Sequence, residues 1–229
     1  MAIQACWGSD ASIKTVVRAG LRELPWIKLR APGGGDGIWA TLSRIGRLLG
    51  SPVPGRALAT EETLVPLSIT HAPPRSLSSI HGFNSLPPHV ELSHRTQPCR
   101  YVLLGCLNAG EVNVATTLID RQTLSLSSEE VALLRSAPIL VRTGRRSFYS
   151  TMLPPNEQYL RYDRACMEPV SLRGEEAMRL IEARLAQCEP ARHLWATGDI
   201  LILDNWRALH GRDRAVRSGR RLARILIDG

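Results

Sequence analysis

The sequence predicts an α+β chain with a mainly β core, a β-sandwich or jelly roll flanked by helices. Three observations lead there. Continuous apolar runs of strand length occur at 100–107, 200–203 and 222–227, as expected of strands covered on both faces. Segments of helical period are interspersed among them, at 38–49, 127–134 and 173–187. A length of 229 residues fills one good core, so a single domain over 1–229 is expected.

In chain order, Ala-Pro-Gly-Gly-Gly-Asp-Gly at 31–37 reads as a loop. Its glycines lack the Lys-Ser/Thr ending of a phosphate-binding loop. Ile38, Trp39, Leu42, Ile45, Leu48 and Leu49 fall at helical spacing, and Gly50-Ser51-Pro52 ends that helix. Residues 52–88 hold several prolines and no clear period, which predicts short strands and loops. At 127–134 a serine N-cap and the acids Glu129 and Glu130 open a helix. Residues 138–142 and 146–150 read as a strand pair around Gly144. The segment 173–187, rich in Glu, Ala, Leu and Arg, is the strongest helix. Strands at 200–203 and 222–227 complete the pattern, which contains no internal repeat.

Composition narrows the class. The hydrophobic fraction is 44%, and no run of about 18 apolar residues exists to span a membrane. The first residues lack a basic segment followed by an apolar core, so no secretory signal is expected there. Five scattered cysteines with no C-x-x-C pair suit reduced thiols and a cytoplasmic location. The net charge of +8 raises nucleic-acid binding as a rival reading. However, Lys14 and Lys28 are the only lysines, so 27 of the 29 basic residues are arginine, and these are spread along the chain. Nucleic acid is therefore not the expected partner.

The candidate chemistry lies in two distant stretches. His89-Val90-Glu91 follows Pro87-Pro88, which remove backbone donors and favour an extended entry. In an extended segment residues two apart share a side, so His89 and Glu91 can meet one metal. His210 lies just past a turn after the 200–203 strand and supplies a second imidazole from another direction. Two histidines and one carboxylate are the ligand set of non-heme Fe(II) oxygenases. His-x-Glu alone is a weak signal, matched by chance in many chains. His94 does not complete the zinc motif H-E-x-x-H, because the order here is H-V-E-L-S-H. His71, His81 and His193 have no nameable partner and read as surface or core residues.

The order of motifs adds specificity. His-x-Glu is followed by Thr116-Thr117-Leu118-Ile119-Asp120, then by G-D-I-L-I-L-D-N-x-R-x-x-H-G-R from Gly198, then by Gly219-Arg220-Arg221-Leu222-Ala223-Arg224. Over residues from about 40 to 229 this resembles the taurine dioxygenase and clavaminate synthase-like group of Fe(II)/2-oxoglutarate-dependent oxygenases. The resemblance implies a double-stranded β-helix, or jelly roll, with iron at one mouth held by His89, Glu91 and His210. It implies Fe(II), 2-oxoglutarate and O2 as cofactor and co-substrates. Arg220 is the first candidate for the distal carboxylate of 2-oxoglutarate, where a planar guanidinium suits a carboxylate. Arg224 is the second candidate, or reaches a substrate carboxylate. Strand alternation puts 220, 222 and 224 on one face and Arg221 on the other.

Thr117 best matches the family threonine on the same carboxylate, with Thr116 as the alternative. Asp120, Asp204 and Asn205 read as structural, forming turns and hydrogen bonds near the site. Residues 79–86 are expected to line the pocket, under a small lid. The implied reaction is hydroxylation of a small amino acid or amino-acid-derived metabolite, with desaturation or oxidation of a taurine-like small acid as alternatives. Glu91 argues against halogenation, since related halogenases put a small residue there. The rival of another class is a non-catalytic jelly-roll binding protein.

Overall fold

The computed structural model describes residues 7–55, 58–72, 74, 76–142, 146–215 and 219–229. Helix α1 (Asp10–Glu23) leads to strand β1 (Trp26–Arg30), helix α2 (Ile38–Leu49) and two short strands, β2 (Ser51–Val53) and β3 (Glu61–Leu64). Helix α3 (Leu77–His81) precedes β4 (Leu86–His89), β5 (Tyr101–Asn108) and β6 (Thr116–Asp120). Helix α4 (Ser128–Ser136), then β7 (Ile139–Val141), β8 (Phe148–Ser150) and β9 (Met167–Pro169), lead to the long helix α5 (Leu172–Gln187). The chain closes through β10 (Ala191–His193), β11 (Asp199–Asp204), β12 (Ala208–Arg212) and β13 (Arg221–Asp228).

The strands form two main antiparallel sheets. The larger has the order β1-β11-β5-β13-β2, with β3 also paired to β13. The smaller has the order β10-β6-β12-β4. A separate three-stranded sheet, β8-β7-β9, contains the expected pairing of 139–141 with 148–150; Gly144 lies outside the described residues.

Why the central strands read as unbroken apolar runs is visible in the packing. On β5, Val102, Leu104 and Cys106 point inward to meet Leu201, Leu203, Leu222, Leu226 and, from the smaller sheet, Leu118. Leu103 points outward, with Ile200, Ile202, Ile225 and Ile227, onto the apolar stripes of α1 and α2. The smaller sheet is covered on its other side in the same way: Ile119 and Leu209 pack with Leu134 of α4 and Met178 and Ile181 of α5. Both faces of the central strands β5, β11, β12 and β13 are buried, so polar alternation disappears there.

Helix α1 was not apparent from the sequence reading. Its signals are there: the Ser9 side chain accepts from Ser12 N–H, and Ile13, Val17 and Leu21 form the buried stripe. Helix α4 carries the full reciprocal cap, with Ser127 bonded to the Glu130 N–H and the Glu130 side chain to the Ser127 N–H. Among the described residues no helix is long and apolar enough to cross a membrane.

Candidate metal centre

The site forms where β4 and β12 lie side by side. His89 is the last residue of β4 and stands directly opposite His210 of β12 in the register; the two ring centroids are 4.4 Å apart. Glu91 lies just beyond the strand, in a turn rather than in the extended segment the sequence suggested. The alternation nevertheless carries that far: Val90 is buried in the core under α4 and α5, and the Glu91 carboxylate returns to the histidines. Its Oε2 is 3.9 Å from His210 Nε2, and one donor atom from each of the three residues lies within 4.8 Å of the others.

Glu91 and His210 are in the states a cation needs. Burial pushes the Glu91 carboxyl up, but Arg224, His210 and His89 beside it pull harder and hold it down at about 2. Glu91 is thus a carboxylate at neutral pH. Burial and then the neighbouring His89 push His210 down to about 3, against the opposing pull of Glu91, so it is a neutral imidazole. His89 Nδ1 is 3.0 Å from the Pro87 carbonyl, a contact that fixes the ring and leaves Nε2 for a ligand. The buried His210 Nδ1 has no hydrogen-bond partner among the described residues. A neutral imidazole at His210, an ionised carboxylate at Glu91 and the His89 Nε2 left free by the Pro87 contact fit a divalent transition metal.

A cavity of about 550 Å³ opens from these residues. Arg220, Leu222 and Arg224 all line it, while Arg221 is exposed, in keeping with the expected alternation. Arg220 is buried and donates from Nη1 to the Val114 carbonyl at 2.7 Å. Burial, and then repulsion from nearby Arg212, push its pKa down to about 10. Arg224 instead bridges two acids: Nη1 donates to Glu91 Oε2 at 2.6 Å and Nη2 to Glu62 Oε2 at 2.5 Å. Burial opposes its charge, but Glu91 and Glu62 outweigh that and raise its pKa.

The threonine preference changes. On β6 Leu118 faces the inner core and Ile119 the helices, so Thr116 shares the inner side and Thr117 the outer. Thr116 lines the cavity and its hydroxyl accepts from Trp195 Nε1 at 3.0 Å. Thr117, the first choice from sequence, is turned away. The segment expected to line the pocket, 79–86, does so only through Leu86; Ser76, Leu77 and Ser78 line it instead.

Four charged lining residues had no role in the sequence reading: Glu61, Glu62, Asp163 and Arg212. Arg212 had a findable signal, since it is two residues from His210 on one strand. Its Nη2 donates to the carbonyls of Gly82 and Asn84 at 2.7 and 2.8 Å, tying β12 to the segment before β4.

Two packed antiparallel sheets, with two histidines and a glutamate on the wall of one cavity, define a jelly-roll protein with a candidate metal site. Comparison with known proteins agrees. Residues 126–226 match the family model "Taurine catabolism dioxygenase TauD, TfdA family". An L-lysine 3-hydroxylase of Catenulispora acidiphila is 29% identical over 161 residues, 60% of this chain and 44% of that one. Clavaminate synthase 2 of Streptomyces clavuligerus is 28% identical over 151 residues, 59% of this chain and 46% of that one. The chain thus spans less than half the length of these curated relatives.

Among solved structures, asparagine oxygenase in complex with Fe(II), 3-hydroxyasparagine and succinate superposes with a TM-score of 0.74 at 21% identity, over 95% of this chain and 80% of that one. The non-heme iron oxygenase OrfP with Fe, succinate and 3-hydroxy-arginine gives 0.74 at 17% identity, over 96% and 82%. The chain is similar to the TauD/TfdA and clavaminate synthase-like group and has the jelly-roll fold of these oxygenases.

Proposed function

We propose that this chain, acting as a single domain over 1–229 in the cytoplasm, is an Fe(II)- and 2-oxoglutarate-dependent dioxygenase. Its reaction is hydroxylation of an unactivated C–H in a small amino acid or amino-acid-derived metabolite. The convergence of His89, Glu91 and His210 on one point of the cavity carries this reading. His89, Glu91 and His210 hold the iron. Iron with 2-oxoglutarate and O2 supplies the oxidising power, with one oxygen atom going to the substrate C–H and the other to succinate as CO2 leaves.

The protein's part is to bind, orient and exclude water. Arg220 holds the distal carboxylate of 2-oxoglutarate; its buried guanidinium lines the same cavity as the ligands, and Thr116 lies on the same inner face. Arg220 is preferred over Arg224 because Arg224 is already engaged by Glu91 and Glu62. That Arg224–Glu62 pair presents a cation and an anion side by side on the cavity wall. The Glu62 carboxylate on that wall matches the ammonium of an amino acid, the substrate type named for the lysine hydroxylase and the asparagine oxygenase. Glu91, a carboxylate in the ligand set, leaves no open position there for a halide and favours hydroxylation.

The test is turnover with Fe(II), ascorbate and 2-oxoglutarate against an amino-acid and small-acid library, read by mass spectrometry. A substrate gaining one oxygen atom, with stoichiometric succinate, is expected. Loss of two hydrogens instead points to desaturation. No succinate with any library member, from protein that binds no metal, refutes the proposal and leaves a jelly-roll binding protein.

A further inference from the structure

Glu91 occupies an awkward place for a ligand. It begins a turn, and the next residue, Leu92, has a left-handed backbone with φ of 56°, which a residue other than glycine adopts only when its surroundings impose it. The turn is held by Arg95 N–H on the Leu92 carbonyl, by Ser93 Oγ on the Val90 carbonyl and, at Glu91 itself, by one side chain. Asn205, fully buried, accepts from the Glu91 N–H at Oδ1 (2.9 Å) and donates from Nδ2 to the Glu91 carbonyl (3.1 Å). A single amide therefore takes both backbone groups of Glu91 and sets its orientation.

Asn205 is itself held by two further hydrogen bonds. Its Nδ2 also donates to the Cys99 carbonyl at 2.8 Å, and its backbone N–H donates to the Arg100 carbonyl at 2.9 Å. In the same turn Trp206 Nε1 donates to the Pro98 carbonyl at 3.0 Å. Five residues after Asn205 comes His210. The turn that delivers one imidazole thus also grips the backbone of the carboxylate 114 residues away in sequence.

We propose that Asn205 is the positioning residue of the metal centre: by clamping the Glu91 backbone to the turn that leads into β12, it sets the spacing between the carboxylate and His210. This rests on the assignment of His89, Glu91 and His210 as metal ligands. A generic core asparagine would be satisfied by any local carbonyls. This one spends both ends of its amide on the ligand residue, and loss of such an outer partner weakens metal binding by roughly ten- to a hundredfold.

The experiment titrates metal-free protein with Mn(II), following free Mn(II) by electron paramagnetic resonance, alongside urea unfolding. Wild type is compared with Asn205→Ala and with Ile45→Ala, which opens a cavity in the core under α2, away from the site. Asn205→Ala is expected to weaken Mn(II) binding at least about tenfold. Ile45→Ala should lose stability yet bind Mn(II) as wild type does. Equal Mn(II) affinity in wild type and Asn205→Ala overturns the inference, as does an equal loss in both variants. If Asn205→Ala does not fold, Asn205→Asp, which keeps the size and the acceptor but loses the donor, takes its place. Should both fail to fold even with saturating Mn(II), Asn205 supports the fold at large and the inference fails. A wild type that binds no Mn(II) removes the metal assignment itself, a different outcome.

Discussion

Replacing Gly211 by alanine tests how tightly the two histidine strands must approach. Gly211 follows His210 on β12, opposite Thr117 on β6 and beside β4, where the pairing is irregular between His210 and Arg212. A Cβ there would stand 2.5 Å from the Leu86 carbonyl oxygen and 2.8 Å from Thr117 Oγ1. Real Cβ atoms do not come closer than 3.0 Å, so the β4 backbone must move by at least the difference, 0.5 Å. The threonine hydroxyl can rotate away; the backbone carbonyl cannot. Overpacking of this kind costs about 1–3 kcal/mol.

The movement also separates His89 from His210, and about 0.5 Å is the tolerance within which a metal constellation must be held. Gly211→Ala should therefore lose about 1–3 kcal/mol in urea unfolding and bind Mn(II) at least roughly tenfold more weakly. Titration and denaturation of the same preparation read both. A variant with wild-type Mn(II) affinity would show that the β4–β12 spacing does not control the site, and one with wild-type stability that the strands are not so close.

Three further outcomes follow from the same geometry. Arg220→Ala should raise the 2-oxoglutarate requirement far more than the iron requirement; if Arg224→Ala does so and Arg220→Ala does not, the two arginines have been assigned in the wrong order. Arg161 is 1% exposed and donates to the carbonyls of Ser93, Arg95 and Thr96 and to the Tyr159 hydroxyl. Arg161→Met strands those carbonyls and should cost about 3–5 kcal/mol in urea unfolding; a loss below about 1 kcal/mol would mean water replaces the guanidinium.

His193 is pushed by burial, and then by Lys28, from 6.5 to about 4. The unfolded chain takes the proton first, so the contribution of neutral His193 is complete above about 6.5 and is lost as pH falls toward 4. The shift corresponds to about 3 kcal/mol. His193→Gln should flatten that part of the pH dependence, and identical slopes in variant and wild type would contradict it.

How much was legible in advance depended on how local the cause was. Helix α2 is bounded as the spacing of Ile38 to Leu49 and the Gly50 stop predict, because its stripe and its terminator lie within one segment. Strands β5, β11 and β13 stood out because both their faces are buried. By contrast β2 and β4 contain prolines and exist because β13 and β12 pair with them. The threonine parity was hidden for a related reason: Leu118 and Ile119 are both apolar and both buried, so nothing in the sequence marks which face of β6 is inner. Glu62 had no local signal either. It becomes part of the site only because β3 sets it directly across from Arg224.

The most direct test of the metal assignment is anaerobic addition of Fe(II) and 2-oxoglutarate to the metal-free protein, watched by visible absorption. Chelation of 2-oxoglutarate by iron at His89, Glu91 and His210 predicts a charge-transfer band that saturates at one iron per chain and is lost in Glu91→Ala. A wild-type protein that shows no band at saturating Fe(II) and 2-oxoglutarate, or a Glu91→Ala variant that keeps it undiminished, would contradict the account.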